Sequence, residues 1–341
     1  MRDLPPTSIA ATRVLAPARL HFGFLDLNGS LGRRFGSFGV ALERPTVDLR
    51  IVPAPVLEVE GPEPERLRRY VEAAAQHLGV PALGRLELKS TIPPHAGFGS
   101  GTQLALATAA ALARMYGKPF DPAAAAGALD RGNRSGIGLA AFRDGGLILD
   151  GGRDGGDAAP PIIARVPFPE AWRILLILDD TALGVHGTSE ASAFARLPKF
   201  PAADAAQLCR LALMQIFPAA VTGDVDAFGR GVTEVQRVVG DYFAPVQGGR
   251  FASPAVAAIL AELQARGVAG VGQSSWGPTG FAIIGSEAEA RRMLRAVSIR
   301  AHAAGLTLLI ARGRNRGARI LARPKVEQAA YPATRLGASA Q

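Results

Sequence analysis

The glycine-rich stretch PPHAGFGSGTQLALATAAAL, residues 93–112, has the residue types of a phosphate-binding loop. Its glycines let the backbone take positive φ and approach a ligand closely. The helix predicted to follow offers unpaired N–H groups and the positive end of its dipole. The predicted phosphate contacts are Gly97, Gly99, Ser100, Gly101 and Thr102. A tight turn without a ligand fits the glycines alone, and the stretch has neither a P-loop lysine nor GxGxxG spacing.

A second group of polar residues lies in ARLHFGFLDLNGSLGRRFG, where a predicted strand enters a glycine-rich turn. Asp26 offers a carboxylate to a metal ion or a developing positive charge, and Arg33 suits a phosphate or carboxylate. We predict both as catalytic, against the alternative of a turn aspartate and a surface arginine. Arg19 and His21 alternate on one strand face and are predicted to line the pocket. His21 equally fits a core position.

Two further pairs follow a buried strand in ILLILDDTALGVHGTSEA. Asp179 and Asp180 are predicted as a metal or ribose site, with strand-end caps as the stronger alternative. His186 and Glu190 are four residues apart, so one helix face would present both to the substrate pocket. A helix-capping box explains the same residues, because Thr or Ser followed by Glu satisfies free amides.

The segment GVGQSSWGPTGFA places Gln273, Ser274, Ser275 and Trp276 in another glycine-rich turn. We predict that these residues complete the substrate pocket. The indole of Trp276 offers a flat surface against which an aromatic acid can stack. Simple packing between domains is the alternative.

The elements around these residues alternate irregularly between strands and helices. Period-2 patterns predict strands, the clearest at residues 12–27, 46–54, 84–93, 172–180 and 305–311. Helical patterns and capping residues predict helices at residues 63–79, 102–117, 121–136, 253–266 and 286–303, with a helical region over 190–240. This mixture predicts an α+β fold with two halves.

A glycine- and proline-rich segment at 151–161 is the predicted linker between these halves. We therefore predict an N-terminal domain over 1–155, which carries the glycine-rich loop, and a C-terminal domain over 160–325. Residues 326–341 are predicted to be a loose tail.

The composition favours a cytoplasmic protein that binds small anions. The net charge is +9, and only four of the 38 basic residues are lysines. The arginines are spread along the chain, so an anionic small molecule is a better predicted partner than nucleic acid. The single cysteine, Cys209, cannot form an internal disulfide. No unbroken apolar run approaches the roughly 20 residues of a membrane span, and the start lacks a signal-peptide pattern.

Three stretches in order resemble the motifs of the GHMP superfamily, named for galactokinase, homoserine kinase, mevalonate kinase and phosphomevalonate kinase. PPHAGFGSGTQLALA is similar to its P-x-x-x-G-L-G-S-S-A-A loop. GNRSGIGLAAFRDGGLILDGG is similar to its S-G-x-D segment, and GVAGVGQSSWGPTGFAII to its third motif. The resemblance implies a ribosomal protein S5 domain 2-like N-terminal half and a ferredoxin-like C-terminal half.

One residue argues against a kinase within this superfamily. The segment Ser135-Gly136-Ile137-Gly138 has Gly138 where the kinases have the aspartate assigned to the acceptor hydroxyl. A glycine cannot accept a proton or orient a hydroxyl. The chain instead resembles the β-ribofuranosylaminobenzene 5'-phosphate synthase family, through RLHFGFLDLNGSLGRRFGSFGVALERP, PHAGFGSGTQLALA, GVHGTSEASAF, FAPVQGGRF and GVGQSSWGPTGFA.

That resemblance implies a C-ribosyltransferase of methanopterin biosynthesis. Its members join phosphoribosyl pyrophosphate (PRPP) to 4-aminobenzoate and release pyrophosphate and CO2. The resemblance further implies Mg2+, no nucleotide cofactor, a homodimer, and neither a nucleic-acid nor a membrane partner. An ATP-dependent small-molecule kinase is the alternative, and a non-catalytic nucleic-acid-binding protein a third. 4-Hydroxybenzoate remains open as the acceptor, because its hydroxyl donates electrons to the ring in the same way.

Overall fold

The structure, a computed structural model, describes residues 9–132, 135–156, 158–181, 194 and 196–324. His186 and Glu190, and the predicted tail at 326–341, lie outside these residues.

The first half is built on two long antiparallel strands that cross most of the molecule. The strands of this sheet are β1 (Ile9–Asp26), β2 (Phe35–Val52), β3 (Leu57–Glu60), β4 (Gly84–Ser90), β5 (Leu147–Asp150), β6 (Ile162–Val166) and β11 (Arg319–Pro324). The long strands β1 and β2 have 18 residues each and pair along most of their length. The sheet has the order β11-β1-β2-β4-β3, and β5 pairs with both β2 and β6.

Four helices accompany this sheet: α1 (Pro64–Leu78), α2 (Ser100–Met115), α3 (Pro122–Ala128) and α4 (Ile137–Arg143). Helix α2 is apolar on nearly every face, and nearly all of its residues are buried, because it packs against both long strands and α1. Its start is therefore held firmly. The side chain of Asp121 caps α3 by accepting from Ala123 N at 2.8 Å, as its position before Pro122 predicts.

The second half has a four-stranded antiparallel sheet in the order β10-β7-β9-β8. With β7 as the first strand in the chain, this order is the 4-1-3-2 arrangement of ferredoxin-like folds, as predicted. Its strands are β7 (Arg173–Asp179), β8 (Gly270–Gln273), β9 (Gly280–Ile284) and β10 (Leu306–Ala311). Its helices are α5 (Ala202–Leu211), α6 (Phe217–Thr222), α7 (Val225–Gln247), α8 (Pro254–Ala265) and α9 (Glu287–Ala303), with a π-helical turn, Ala212–Ile216, between α5 and α6.

The two halves share one hydrophobic core. The ring of Phe22 on β1 contacts Phe38 on β2, Phe228 on α7 and Phe281 on β9, with ring centroids 5.5, 5.9 and 5.2 Å apart. Edge-on contacts of this kind fix the position of β1 relative to the second sheet.

Sheet membership does not follow the predicted boundary between 155 and 160. Strand β6 pairs with β5, and β11 pairs with β1, so both belong to the first sheet although they lie in the range predicted for the second half. The sequence pattern of β11 was obscured by its arginines, which keep most of this edge strand exposed.

One helical stretch within the described ranges, Ala202–Thr222, has the length and apolar composition of a membrane span. It combines α5, the π-helical turn and α6, and 39% of its window is buried inside the protein. Counting unbroken apolar runs misses it, because Asp204 and Arg210 interrupt the pattern. Core helices of water-soluble proteins pass the same test, so this stretch alone does not identify a span.

The contact between α7 and β8 depends on two glycines. A Cβ atom on Gly229 would lie 2.5 Å from Gly270 N and 2.9 Å from Ala269 C. We expect Gly229→Ala to lower the free energy of unfolding by about 1–3 kcal/mol, because helix and strand must separate. Gly127→Ala, in α3 with open space around it, is the control and should raise stability by up to about 1 kcal/mol. Urea denaturation of both variants checks this, and a stabilised Gly229→Ala protein would contradict it.

Candidate active site

A cavity of about 1020 Å³ opens where the glycine-rich loop, β1 and the turn after β8 meet. All five residues predicted to contact phosphate line it: Gly97, Gly99, Ser100, Gly101 and Thr102. Helix α2 begins at Ser100, so its unpaired N–H groups face this space. Gly99 precedes the helix in a left-handed conformation, with φ 75°.

Ser274 joins the loop to the second half of the chain. Its hydroxyl donates to Gly97 O at 2.6 Å and accepts from His21 N at 3.0 Å. A Cβ atom on Gly97 would overlap Ser274 O, so glycine is needed here for space as well as for its φ of 78°. Arg19 also donates to Gly97 O, and its side chain packs over Gly99. Three motifs that are distant in the sequence therefore meet at one loop.

The cavity has three arginines that the sequence analysis missed, two of them on helix α1, and we call them the cationic wall, although Glu63, Glu65 and Asp130 line the cavity as well. Arg66 and Arg69 line the cavity together with Arg131, which follows α3. The guanidinium carbons of Arg66 and Arg131 lie 5.8 and 5.4 Å from the centre of the Tyr70 ring. The signal was present, because residues 66, 69 and 70 are spaced to share one helix face.

These groups converge on Gly101 at the start of α2. A Cβ atom there would lie 2.9 Å from Arg66 Nη2, 3.5 Å from Tyr70 Oη and 3.7 Å from Arg131 Cζ. Arg66 is held by Glu63, which accepts from its Nη1 at 2.6 Å and from Thr91 Oγ1 at 3.2 Å.

One buried donor of this wall, Arg131 Nε, has no hydrogen-bond partner among the described residues. The Tyr70 hydroxyl lies beside the Arg66 guanidinium. Tyr70 is only 7% exposed. Because unpaired buried donors cost free energy, this arrangement suits an anionic ligand that accepts hydrogen bonds here.

Another part of the cavity lining is aromatic. Phe24 and Trp276 line it, and the Trp276 ring packs against Phe243 and Phe194, with centroids 4.2 and 5.4 Å apart. Trp276 therefore packs against aromatic residues of the second half and forms part of the cavity wall, and its stacking on an aromatic acid stays a prediction. A smaller second cavity shares the Phe24 and Trp276 walls.

His21 lies between the two cavities and is 2% exposed. Burial, helped by the nearby charge of Arg19, lowers the pKa of His21 well below its usual range. The imidazole is therefore neutral at physiological pH.

Asp150, which the sequence analysis did not single out, holds the segment that carries Ser135 into the cavity. This buried carboxylate accepts from Ser37 N and Ser37 Oγ, at 3.1 and 2.6 Å, and from Ser135 Oγ at 3.0 Å. It also accepts from Gly136 N and Gly152 N, at 2.9 and 3.0 Å. Burial raises the pKa of Asp150, and these hydrogen bonds oppose the rise.

Gly138, the residue that the resemblance aligns with the acid of the kinases, lines the cavity. A Cβ atom on it would lie 3.3 Å from Thr102 Cγ2 and 3.7 Å from Thr102 Oγ1, and its carbonyl accepts from Gln103 Nε2 at 2.7 Å. The side chain of Thr102 thus occupies the space next to Gly138.

Asp26 and Arg33 do not line the cavity. Asp26 accepts from Asn28 N and Gly29 N, both at 2.8 Å, which closes the turn after β1. Arg33 donates to the carbonyls of residues 151 and 152 and pairs with Asp154 at 2.9 Å. The structure thus gives both residues turn-stabilising contacts, and their catalytic roles stay predictions.

Of the remaining predicted residues, Ser275 lines the main cavity, whereas Asp179, Asp180 and Gln273 do not. Asp179 accepts from Ser253 Oγ at 2.6 Å and from Thr181 Oγ1 at 2.6 Å, which fits the strand-end alternative, and Asp180 beside it is exposed. Gln273 lines the smaller cavity, where its side chain accepts from Ala252 N at 2.8 Å.

Within the described ranges, no three His, Cys, Asp or Glu side chains form a group that could hold a metal ion. Glu63, Glu65 and Asp130 line the cavity without forming such a group. These residues do not fit a metal held by protein ligands alone, so the expected Mg2+ stays a prediction.

Comparison with known proteins identifies the family. Residues 66–146 match the N-terminal domain of GHMP kinases, and residues 216–303 match the GHMP kinase C-terminal domain. The chain is 33% identical to the beta-ribofuranosylphenol 5'-phosphate synthase of Methanothermobacter thermautotrophicus, over 78% of this chain and 87% of that protein. The chain belongs to this synthase family. The synthase of the same name from Archaeoglobus fulgidus is 35% identical, over 66% of this chain and 75% of that protein.

Solved structures of GHMP enzymes share the fold of this synthase family member. A homoserine kinase from Cytophaga hutchinsonii has a TM-score of 0.65 at 15% identity and covers 92% of this chain and 98% of its own. A mevalonate diphosphate decarboxylase from Staphylococcus aureus has a TM-score of 0.60 at 14% identity, and the match covers 92% of this chain and 98% of the decarboxylase. The predicted two-domain GHMP fold is confirmed. At these identities the likeness concerns the fold alone.

The five hydrogen bonds to Asp150 allow a direct test of what holds the Ser135 segment. We expect Asp150→Asn to lower the free energy of unfolding by about 2 kcal/mol, because its amide group leaves at least one backbone N–H without an acceptor. The control is Asp144→Asn, which alters the surface pair with Arg143 and should cost about 1 kcal/mol or less. Thermal and urea unfolding compare the variants. Equal stabilities would show that this network does not hold the segment.

Proposed function

We propose that this protein is a PRPP-dependent C-ribosyltransferase that condenses a 4-substituted benzoate with PRPP and releases pyrophosphate and CO2. The acceptor is 4-aminobenzoate or 4-hydroxybenzoate, and the product serves methanopterin biosynthesis. The observation that carries this proposal is the division of one cavity into a cationic wall and an aromatic wall. A homodimer in the cytoplasm remains part of the prediction.

The cationic wall suits the phosphates of the donor. Arg66, Arg131 and the start of α2 offer charged and backbone donors to an anion beside Gly101. When the bond from the sugar C1 atom to pyrophosphate breaks, negative charge grows on the leaving oxygens. Donors fixed in advance at that position stabilise the transition state.

The aromatic wall suits the acceptor. Phe24 and Trp276 give a planar ring an apolar surface, and their burial keeps water away from the electron-poor sugar carbon. The ring carbon that bears the carboxylate attacks the sugar C1 atom, and the new C–C bond forms as pyrophosphate leaves. Loss of CO2 returns an electron pair to the ring. No base is needed at that carbon, because CO2 leaves in place of a proton.

The absence of an acid at Gly138 also supports this reaction over phosphoryl transfer. A kinase needs a group to orient the acceptor hydroxyl, and the side chain beside Gly138 is Thr102, which carries no carboxylate. The name of the relatives supports the proposed product class, because a ribofuranosylphenol 5'-phosphate carries both the sugar phosphate and a hydroxylated ring.

Carboxyl-labelled substrate tests the reaction directly. The full chain is incubated with PRPP, Mg2+ and either carboxyl-labelled benzoate, and CO2 and pyrophosphate are measured together. We expect CO2 and pyrophosphate to form in equal amounts, and we expect neither to form when PRPP is left out. Formation of ADP from ATP and a small alcohol, without CO2 release, would support the kinase alternative instead.

Binding of inorganic pyrophosphate tests the cationic wall separately from turnover. Loss of a hydrogen bond to a charged group costs about 1.5–3 kcal/mol, so we expect Arg66→Ala and Arg131→Ala each to raise the Kd by at least about tenfold. Arg114→Ala removes an exposed arginine at the far end of α2 and should change the Kd less than about twofold. Isothermal calorimetry at fixed salt measures all three. Equal effects from all three variants would point to net charge and would refute a specific wall.

A further inference from the structure

His21 has an unusual combination of a fixed backbone and an unpaired side chain. Its N–H donates to Ser274 Oγ at 3.0 Å, and its carbonyl accepts from Ser275 N at 3.4 Å. Neither ring nitrogen has a hydrogen-bond partner among the described residues, although the residue is 2% exposed. Two unpaired nitrogens in a buried ring indicate that a ligand supplies the missing partners.

The surroundings of His21 define which ligand fits. The ring contacts Phe24 edge to face at 4.9 Å, and it lines the aromatic side of the main cavity together with Trp276. The charged groups nearest to it are arginines: Arg19 on the same strand, and Arg250 across the smaller cavity, which is paired with Asp241 at 2.7 Å. No carboxylate lines the smaller cavity within the described ranges.

A neutral imidazole offers one N–H donor and one acceptor nitrogen. The two nitrogens point in different directions, so a single ligand group reaches only one of them. The acceptor nitrogen needs a donor, which a hydroxyl has and a carboxylate lacks, and a phenol adds an aromatic ring that suits Phe24 and Trp276. Of the two groups on a hydroxybenzoate, only the hydroxyl can therefore pair with the acceptor nitrogen of His21.

We propose that His21 binds the ring hydroxyl of a 4-hydroxybenzoate acceptor and takes its proton while the C–C bond forms. This inference rests on the proposed function and deepens it. It assigns His21 a catalytic role in the reaction with 4-hydroxybenzoate.

The proton and electron changes balance over the two steps. As the ring carbon attacks the sugar C1 atom and pyrophosphate leaves, the hydroxyl oxygen gives its proton to the acceptor nitrogen of His21 and becomes a ring carbonyl. As CO2 leaves, the electron pair of the broken C–C bond restores the aromatic ring, and the oxygen takes the proton back. The products are the ribosylated phenol, CO2 and pyrophosphate, and His21 is neutral again.

A weak base suffices for this transfer. Attack by the ring places positive charge on the hydroxyl oxygen, so its proton becomes strongly acidic at that moment. The imidazolium formed beside Arg19 in a buried position is itself acidic, which favours return of the proton. The amino group of 4-aminobenzoate carries its positive charge without losing a proton, so it has no such requirement.

The difference between the two acceptors gives the test. His21→Gln keeps a neutral donor and acceptor but cannot take the proton, because an amide is not basic. We expect kcat with 4-hydroxybenzoate to fall by at least about 100-fold, while kcat with 4-aminobenzoate changes much less. His77→Gln, at an exposed position in α1, is the matched control and should leave both values unchanged.

The ratio of the two rates separates this role from general damage to the fold. A structural role predicts equal losses with both acceptors, and equal losses or no loss would overturn the inference while wild-type activity upholds the proposed function. If the wild-type protein releases no CO2 with either acceptor, the proposed function itself fails, and the inference fails with it. His21→Asn provides the same comparison if the glutamine variant does not fold.

Discussion

The hydroxyl of Ser274 is the contact on which the geometry of the site depends. It lies between the carbonyl of Gly97 and the backbone N–H of His21, so one atom sets the distance between the glycine-rich loop, β1 and the turn after β8. The glycine at 97 follows from this contact, because a larger residue would overlap Ser274. The second half of the chain therefore acts on the site mainly by holding a loop that belongs to the first half.

The arginines and the aromatic residues of the cavity come from different elements. Arg66, Arg69 and Arg131 come from elements that face the start of α2, whereas Phe24 and Trp276 come from β1 and the turn after β8. The resemblance to GHMP kinases predicts a carboxylate near the loop, and this chain has Gly138 there, beside the side chain of Thr102. In the proposed reaction the same loop still binds phosphates. The bond that forms joins the sugar C1 atom to a ring carbon, and no phosphoryl group is transferred. The change of chemistry requires few changes in the scaffold.

The sequence predicted the fold well because its local patterns agree with its tertiary structure. The helices at 63–79 and 286–303 and the strand at 305–311 are found within one or two residues, since their periodicity and caps are strong. The glycine-rich loop was recognisable for a similar reason, because its glycines serve a local backbone conformation. Strand β11 and the boundary between the halves were not recognisable. An exposed edge strand rich in arginine has no clear alternation, and its partner β1 lies about 300 residues away.

Site residues were harder to predict than elements. Asp26 and Arg33 stand out because they flank glycines. In the structure Asp26 closes its own turn, and Arg33 holds the segment at 151–154. Arg131 and Asp150 have inconspicuous neighbours in the sequence, and their importance arises from long-range contacts that a single sequence does not display. The sequence shows that Arg66 and Tyr70 are spaced to share one helix face, but such spacing usually indicates only which face of a helix is exposed to solvent.

The pairing of β11 with β1 has a consequence for how the chain is made. Strand β1 carries Arg19 and His21, and its first residues remain an open edge until Arg319–Pro324 have left the ribosome. The first sheet is thus complete only after Arg319–Pro324 have been synthesised, about 300 residues after β1. Such late closure slows folding, because the loop between the partners is long. It also makes the nascent N-terminal half a species with an exposed strand edge, which is open to pairing with other chains.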